Sequence, residues 1–170
     1  MIALLRIDNR LVHGQILVAW VPFLHARRLV VADDETASTP LAQAAMSLCL
    51  PPGLRAEVVP ESGVSYPALA ASPEPTLVLL REVAALERAV AAGLRPALAP
   101  RVNLGNIHFQ EGRLPLTPSV FLSGREFAAL EALAAAGFDV AAQAVPSEAP
   151  VGLKELARVY AAEAEKSEKR

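Results

Sequence analysis

"IALLRIDNRLVHGQILVAW" (residues 2–20) sets an apolar run, a short polar loop and a second apolar run end to end. Residues 2–7, IALLRI, predict a buried strand, because a short apolar run without alternation suits a strand covered on both faces. Residues 14–24, GQILVAWVPFL, predict a mostly apolar helix that bends or ends near Pro22, whose ring removes a backbone donor. The loop between them carries Asp8, Arg10, His13, Gly14 and Gln15, with Arg6 just inside the strand.

The same strand-then-helix rhythm continues along the chain. Strands are expected at 28–34, 55–60, 76–81, 119–123 and 139–146. Another begins at 101–109 and is expected to break at Gly105. Ser38 or Thr39 can cap a helix with Pro40 at its first position, running through LAQAAMSLCL to Pro51-Pro52-Gly53. A second helix, 82–93, closes on Gly93, and a third, 124–136, opens on a Ser123–Glu126 capping box and ends at Gly137. The segment from Gly152 onward reads as a terminal helix that frays into a charged tail. Residues 60–76 are rich in Pro and Ala, and 110–118 read as turn-rich. Alternating strands and helices imply an α/β fold with a mainly parallel sheet covered on both faces. No linker divides the 170 residues, so one domain, 1–165, is expected, followed by a charged tail, 166–170.

Composition narrows the function. The chain is 53% hydrophobic and 20% charged, which suits a packed core and not disorder. A net charge of −2 gives no basic field to attract nucleic acid, so none is expected as a partner. No apolar run is long enough to span a membrane, and MIALL is too short for a secretory leader, so a cytoplasmic protein is expected. The single Cys49, within the apolar MSLCLP, reads as a core residue. Three scattered histidines make no metal motif, and no metal or other cofactor is expected.

In open α/β sheets, ligands bind where strand ends feed helix starts. A helix start offers unpaired N–H groups and a positive dipole end, so the loop 8–15 favours an anion. Arg10 can bind phosphate oxygens with its fork, Gly14 lets the backbone approach closely, and Gln15 can donate a hydrogen bond. An unperturbed imidazole titrates near about 6.5, so neutral rings are available at pH 7. His13 is therefore a candidate nucleophile for phosphorus, with Asp8 orienting Arg10 or the imidazole N–H. The same residues also fit an ordinary surface ion cluster in which Arg6 and Arg10 pair with Asp8.

RIDNRLVHGQ resembles the active-site signature of the enzyme IIB component of the mannose/fructose/sorbose family of the bacterial phosphoenolpyruvate-dependent sugar phosphotransferase system. The common form reads Arg-Ile-Asp-Asp-Arg-Leu-Ile-His-Gly-Gln, and Asn9 replaces one Asp here. VVADDETASTP, LCLPPGLRAEV, VNLGNIHFQEGR and AQAVPSEAP resemble further blocks of that family in the same order. Glu82-Val83 stands where the family often has Asn-Pro.

The resemblance implies a three-layer α/β/α sandwich with a central mainly parallel sheet. It implies that His13 accepts a phosphoryl group from a phosphohistidine on a IIA component. His13 would then pass it to a hexose bound by membrane IIC/IID components. The activity would be that of a protein-Nπ-phosphohistidine–sugar phosphotransferase. Arg10, Gly14 and Gln15 would bind phosphate and Asp8 would organise the loop. A regulatory sensor of phosphorylation state, using the same histidine without sugar transfer, fits the sequence equally. A non-catalytic anion-binding domain is a third reading, and a homo-oligomer remains open.

Other residues carry plainer expectations. His25 reads as a helix-end histidine. His108 either borders the site or satisfies a turn. Asp33, Asp34 and Glu35 read as a solvated turn, Arg27 and Arg28 as a solvated pair, and Trp20 as packed against the sheet near the site, one to two turns from His13. GNIHFQEGR reads as a turn or hairpin at the pocket rim or a subunit contact.

Overall fold

Strand β1, Ile2–Asp8, lies at the centre of a mainly parallel sheet, and its side chains divide between two cores. Leu5 and Ile7 join one apolar cluster, and Leu4 joins the other. Ile2 sides with Leu5 despite the odd spacing because the register with the neighbouring strand shifts between Ile2 and Leu4. The computed structural model describes residues 1–169.

β2 (Arg28–Ala32) and β4 (Thr76–Leu80) repeat the division, with Val30, Ala32, Val78 and Leu80 on one face and Leu29, Val31, Leu77 and Leu79 on the other. These are the uninterrupted apolar runs expected of parallel strands buried on both sides. β3 (Arg55–Val59) forms one edge. β5 (Arg101–Asn106) and β8 (Asp139–Ala142) extend the sheet on the other side of β1. A short β9 (Val151–Gly152) pairs antiparallel to β8. The described order is β3-β2-β4-β1-β5-β8-β9.

The first face is covered by α4 (Tyr66–Ala71), α5 (Val83–Ala91), α6 (Gly124–Ala135) and α7 (Leu153–Glu168). Tyr66, Leu86, Leu130 and Leu156 are buried there. The second face is covered by a π-helical turn, Ile16–Trp20, that continues into α1 (Val21–Phe23), and by α3 (Pro40–Leu48). The result is the expected three-layer α/β/α sandwich. The chain leaves β1 towards β2 on one side, and leaves β4 to cross β1 and form β5 on the other. The carboxyl end of β1 therefore sits at the reversal of strand order, the usual ligand position in such sheets.

Several local signals act as read. Ser123 accepts from the Glu126 backbone N–H while the Glu126 side chain accepts from Ser123, completing the capping box of α6. Gly93 and Gly137 have φ of 108° and 105°, the left-handed form that ends a helix.

Other expectations are corrected. Gly105 does not break β5, because its missing side chain opens space that the Arg6 guanidinium fills. Residues 114–122 form a hairpin of β6 (Leu114–Thr117) and β7 (Val120–Leu122), where only the second strand was expected. Residues 60–76, for which the sequence pointed to no particular element, hold α4, anchored by buried Tyr66 and Leu69. Cys49 is exposed at the end of α3, whose side chains include none that are fully buried; local apolarity did not make it core. Asp33 is not in a solvated turn but buried, capping the short α2 (Asp34–Ala37). α7 runs through Glu168, into the stretch 166–170 expected as a tail, whose last residue lies outside the described residues.

Candidate active site at the carboxyl end of the first strand

The site is built on a buried ion pair. Arg6 and Asp8 point to the same side of β1, two residues apart, and neither is exposed. Burying an arginine is tolerable only if its donors are satisfied. All five N–H groups of Arg6 have acceptors. Nε and Nη2 donate to Asp8 Oδ2 at 3.3 and 2.9 Å. Nη1 donates to Asn103 Oδ1 and, at 3.0 Å, to the Gln143 carbonyl; Nη2 also donates to the Ala144 carbonyl at 3.2 Å. The guanidinium lies 4.9 Å from the Trp20 ring centroid, and Trp20 Nε1 donates to the same Ala144 carbonyl at 3.1 Å. Trp20 is thus packed on the sheet side as expected, and it also supports the site's buried charge.

Asp8 gathers the loop. Its Oδ1 accepts from the Arg10 backbone N–H at 3.2 Å and from Arg10 Nε at 3.1 Å. Its Oδ2 accepts from Arg10 Nη2 at 3.2 Å and faces His13 Nε2 at 3.1 Å. Burial alone would push the Asp8 carboxyl up, but the hydrogen bonds from His13 and Arg10 and the charge of Arg6 hold it well below the usual carboxylate range. An ionised Asp8 can only accept, so His13 Nε2 carries the hydrogen in this contact. That fixes the neutral ring as the tautomer whose Nδ1 keeps a lone pair. Asp8 contacts both of the groups, Arg10 and the His13 ring, that the sequence named as its alternative partners.

Three further contacts hold the loop to neighbouring strand ends. The Asn9 backbone N–H donates to the Asn106 carbonyl at 2.9 Å, and Asn9 Nδ2 donates to the Arg81 carbonyl at 2.8 Å. Asn9 Oδ1 accepts from the His108 backbone N–H at 2.5 Å. His108 is exposed, and its Nδ1 faces Asn106 Nδ2 at 3.2 Å, so it stands at the rim and is tied to the loop through Asn9. His25 is exposed just past α1, away from this cluster of contacts, with φ of 49°.

The His13 carbonyl accepts from the backbone N–H groups of Ile16 and Leu17, which makes His13 the residue that opens the helix. The amides of a first turn have no partners within the helix and form a natural anion seat. Gly14 and Gln15 are exposed there. A Cβ on Gly14 would meet nothing within 4 Å, which leaves room above the turn. Gln15 Oε1 accepts from Arg10 Nη2 at 3.2 Å. His13 is partly accessible, with 17% of its side chain exposed, and Arg10 more so, at 37%. Counted as charges, Arg6, Arg10 and Asp8 leave one net positive charge beside the His13 ring. Among the described residues, no three His, Cys, Asp or Glu side chains gather as a metal site.

Arg6, Asn9 and Asn103 join this cluster by direct hydrogen bonds although the sequence pointed to only Asp8, Arg10, His13, Gly14 and Gln15 as site residues, and Trp20 lies beside it as its place one to two turns from His13 led us to expect. The available signal was Arg6 itself, a charged residue inside an apolar strand.

Residues 2–170 match the family model described as PTS system sorbose subfamily IIB component. The chain belongs to this family. It is 32% identical over 156 residues to the N-acetylgalactosamine-specific phosphotransferase enzyme IIB component 2 of Escherichia coli K12, covering 91% of this chain and 98% of that one. It is 26% identical over 159 residues to the PTS system mannose-specific EIIAB component of the same organism, but covers only 48% of it. The crystal structure of the PTS system N-acetylgalactosamine-specific IIB component 1 from Escherichia coli is similar with a TM-score of 0.78 at 28% identity, covering 89% of this chain and 98% of that one. The IIBSor domain of the sorbose permease from Klebsiella pneumoniae shares the fold, with a TM-score of 0.80 at 24% identity over 92% of this chain and 96% of that one. The protein is thus a IIB component of the sorbose/mannose family of the sugar phosphotransferase system, a transferase of sugar import. No helix among the described residues is long and apolar enough to cross a membrane.

Proposed function

We propose that His13 carries the phosphoryl group between a phosphorylated IIA protein and a hexose held by membrane IIC/IID components. The observation that supports this best is the His13 Nε2 contact with Asp8, which leaves Nδ1 as the nucleophilic nitrogen. In the first step the Nδ1 lone pair attacks phosphorus of the donor phosphohistidine. The donor's N–P bond breaks and its electron pair returns to the donor ring. His13 loses no proton in this step, since Nε2–H stays on Asp8. In the second step a sugar hydroxyl takes the phosphoryl group, Nδ1 regains its lone pair, and the hydroxyl proton passes to water or to a base of the permease.

Phosphoryl transfer asks chiefly for positioning and charge stabilisation. Arg10 and the helix-start amides at Gly14 and Gln15 supply the charge stabilisation, and Asp8 with Arg6 supplies the positioning. No metal or other cofactor has a role in this scheme. The overall activity is that of a protein-Nπ-phosphohistidine–sugar phosphotransferase acting in the cytoplasm. The sugar specificities named for the N-acetylgalactosamine and mannose relatives support a hexose-class acceptor. Incubation with phosphorylated IIA is expected to give one acid-labile, base-stable phosphoryl adduct on His13, read by intact mass and peptide mapping. Labelling of the His13→Ala protein would overturn the proposal.

A further inference from the structure

Leu11 has a backbone conformation that its side chain disfavours. Its φ is 55°, in the left-handed region, where a residue with a Cβ is strained and glycine or asparagine is the usual occupant. Its side chain is only 2% exposed and packs in the second core with Ile16, Trp20, Leu77 and Leu79. Its N–H donates to the Asp8 carbonyl at 2.9 Å, closing a tight turn. Strain of this kind persists only where surrounding contacts impose it, and it concentrates at functional sites.

The consequence falls on the residues either side. Arg10 precedes the reversal and His13 follows it by two positions, yet both side chains meet the same Asp8 carboxylate. Asp8 is fixed by the sheet, and the His13 backbone is fixed by the helix it opens. Leu11 is the joint between them that is anchored in the core; Val12 is only partly buried.

We infer that Leu11 is a positioning residue: its buried side chain holds a left-handed turn that brings His13 Nε2 onto Asp8 and so selects the tautomer with Nδ1 free. The effect on catalysis rests on the phosphoryl relay proposed above, whereas the effect on the tautomer does not.

Three substitutions separate the parts of this role. Leu11→Gly frees the backbone but removes the anchor. Leu11→Val keeps an apolar anchor, but its branched Cβ opposes positive φ. Leu11→Met keeps both the anchor and an unbranched Cβ. The tautomer of His13 is read from long-range ¹H–¹⁵N correlations of the imidazole in the unphosphorylated full-length protein. Phosphoryl acceptance is then measured as rate against the concentration of phosphorylated IIA.

The Nε2–H form is expected to dominate in the wild type and in Leu11→Met, and to lose dominance in Leu11→Val and Leu11→Gly. In those two the maximal acceptance rate should fall on the order of 10- to 100-fold, with the half-saturating donor concentration unchanged. Should Leu11→Gly fail to fold, Leu11→Val decides. A folded Leu11→Val protein with the wild-type tautomer and rate would overturn the role of Leu11. A wild-type protein that takes no label would overturn the relay instead, and the tautomer comparison would still decide Leu11.

Discussion

Asp8 is the acceptor shared by Arg6, Arg10 and His13, so its charge has both a structural and a chemical effect. Asp8→Asn keeps the shape and an acceptor oxygen but removes the charge opposite a fully buried arginine. Breaking a buried pair in this way costs about 3–5 kcal/mol, so the urea midpoint of Asp8→Asn should fall accordingly. Its acceptance of phosphate from IIA should fall as well, since His13 loses the partner that fixes its ring. Gly105→Ala tests the support from below: the added methyl group overlaps the Arg6 guanidinium, which cannot shift without leaving its acceptors. That variant should lose about 1–3 kcal/mol from overpacking, measured by thermal or urea unfolding, and phosphoryl acceptance should drop with it. His13, Arg10 and Asp8 were legible in the sequence because their spacing suits a strand-to-helix loop. Asn103 and the Gln143 and Ala144 carbonyls were not, because nothing local says which residues lie beside Arg6 in the folded sheet.

Among the elements, β2 and β4 show how strand register creates a site that no local pattern reveals. Ala32 and Leu80 are paired in register, so the next residues, Asp33 and Arg81, emerge together. Arg81 Nε and Nη2 donate to the two Asp33 oxygens at 2.7 and 2.6 Å, while Asp33 also caps α2 by accepting from the Thr36 N–H at 2.9 Å. Burial pushes the Asp33 carboxyl up, but the bonds from Arg81 and Thr36 outweigh it and bring it down from 3.8 to about 2. A carboxyl depressed in the folded state adds stability above its unfolded pKa and loses it as pH falls through the folded value. The contribution, about 2 kcal/mol, should therefore be complete above about pH 5 and vanish between about pH 4 and pH 2. Asp33→Asn should flatten that part of the stability–pH curve, as followed by urea unfolding at each pH; an unchanged slope would contradict the assignment. The helix signals at Ser123–Glu126, Gly93 and Gly137 were readable because capping chemistry is local. The two-residue β9 and α4 were not, since one depends on pairing with β8 and the other on burying Tyr66 and Leu69.

Taken as one molecule, the fold puts a buried charge pair beneath the partly accessible His13 at the reversal point of the sheet. The parallel architecture was readable because the central strands are apolar on both faces. The separation of that sheet into two cores explains why Arg6, on the face with Trp20, reaches the site while Leu5 and Ile7, on the other face, do not. In the relay proposed above, the donor must reach a side chain only 17% exposed. The proposed relay is tested most directly by locating the bond that the donor makes. After reaction with phosphorylated IIA, correlation of phosphorus with the imidazole nuclei should show a single adduct, on Nδ1 of His13, with Nε2 still protonated. An adduct on Nε2, or on His25 or His108 with His13 unmodified, would contradict the geometry on which the mechanism is built.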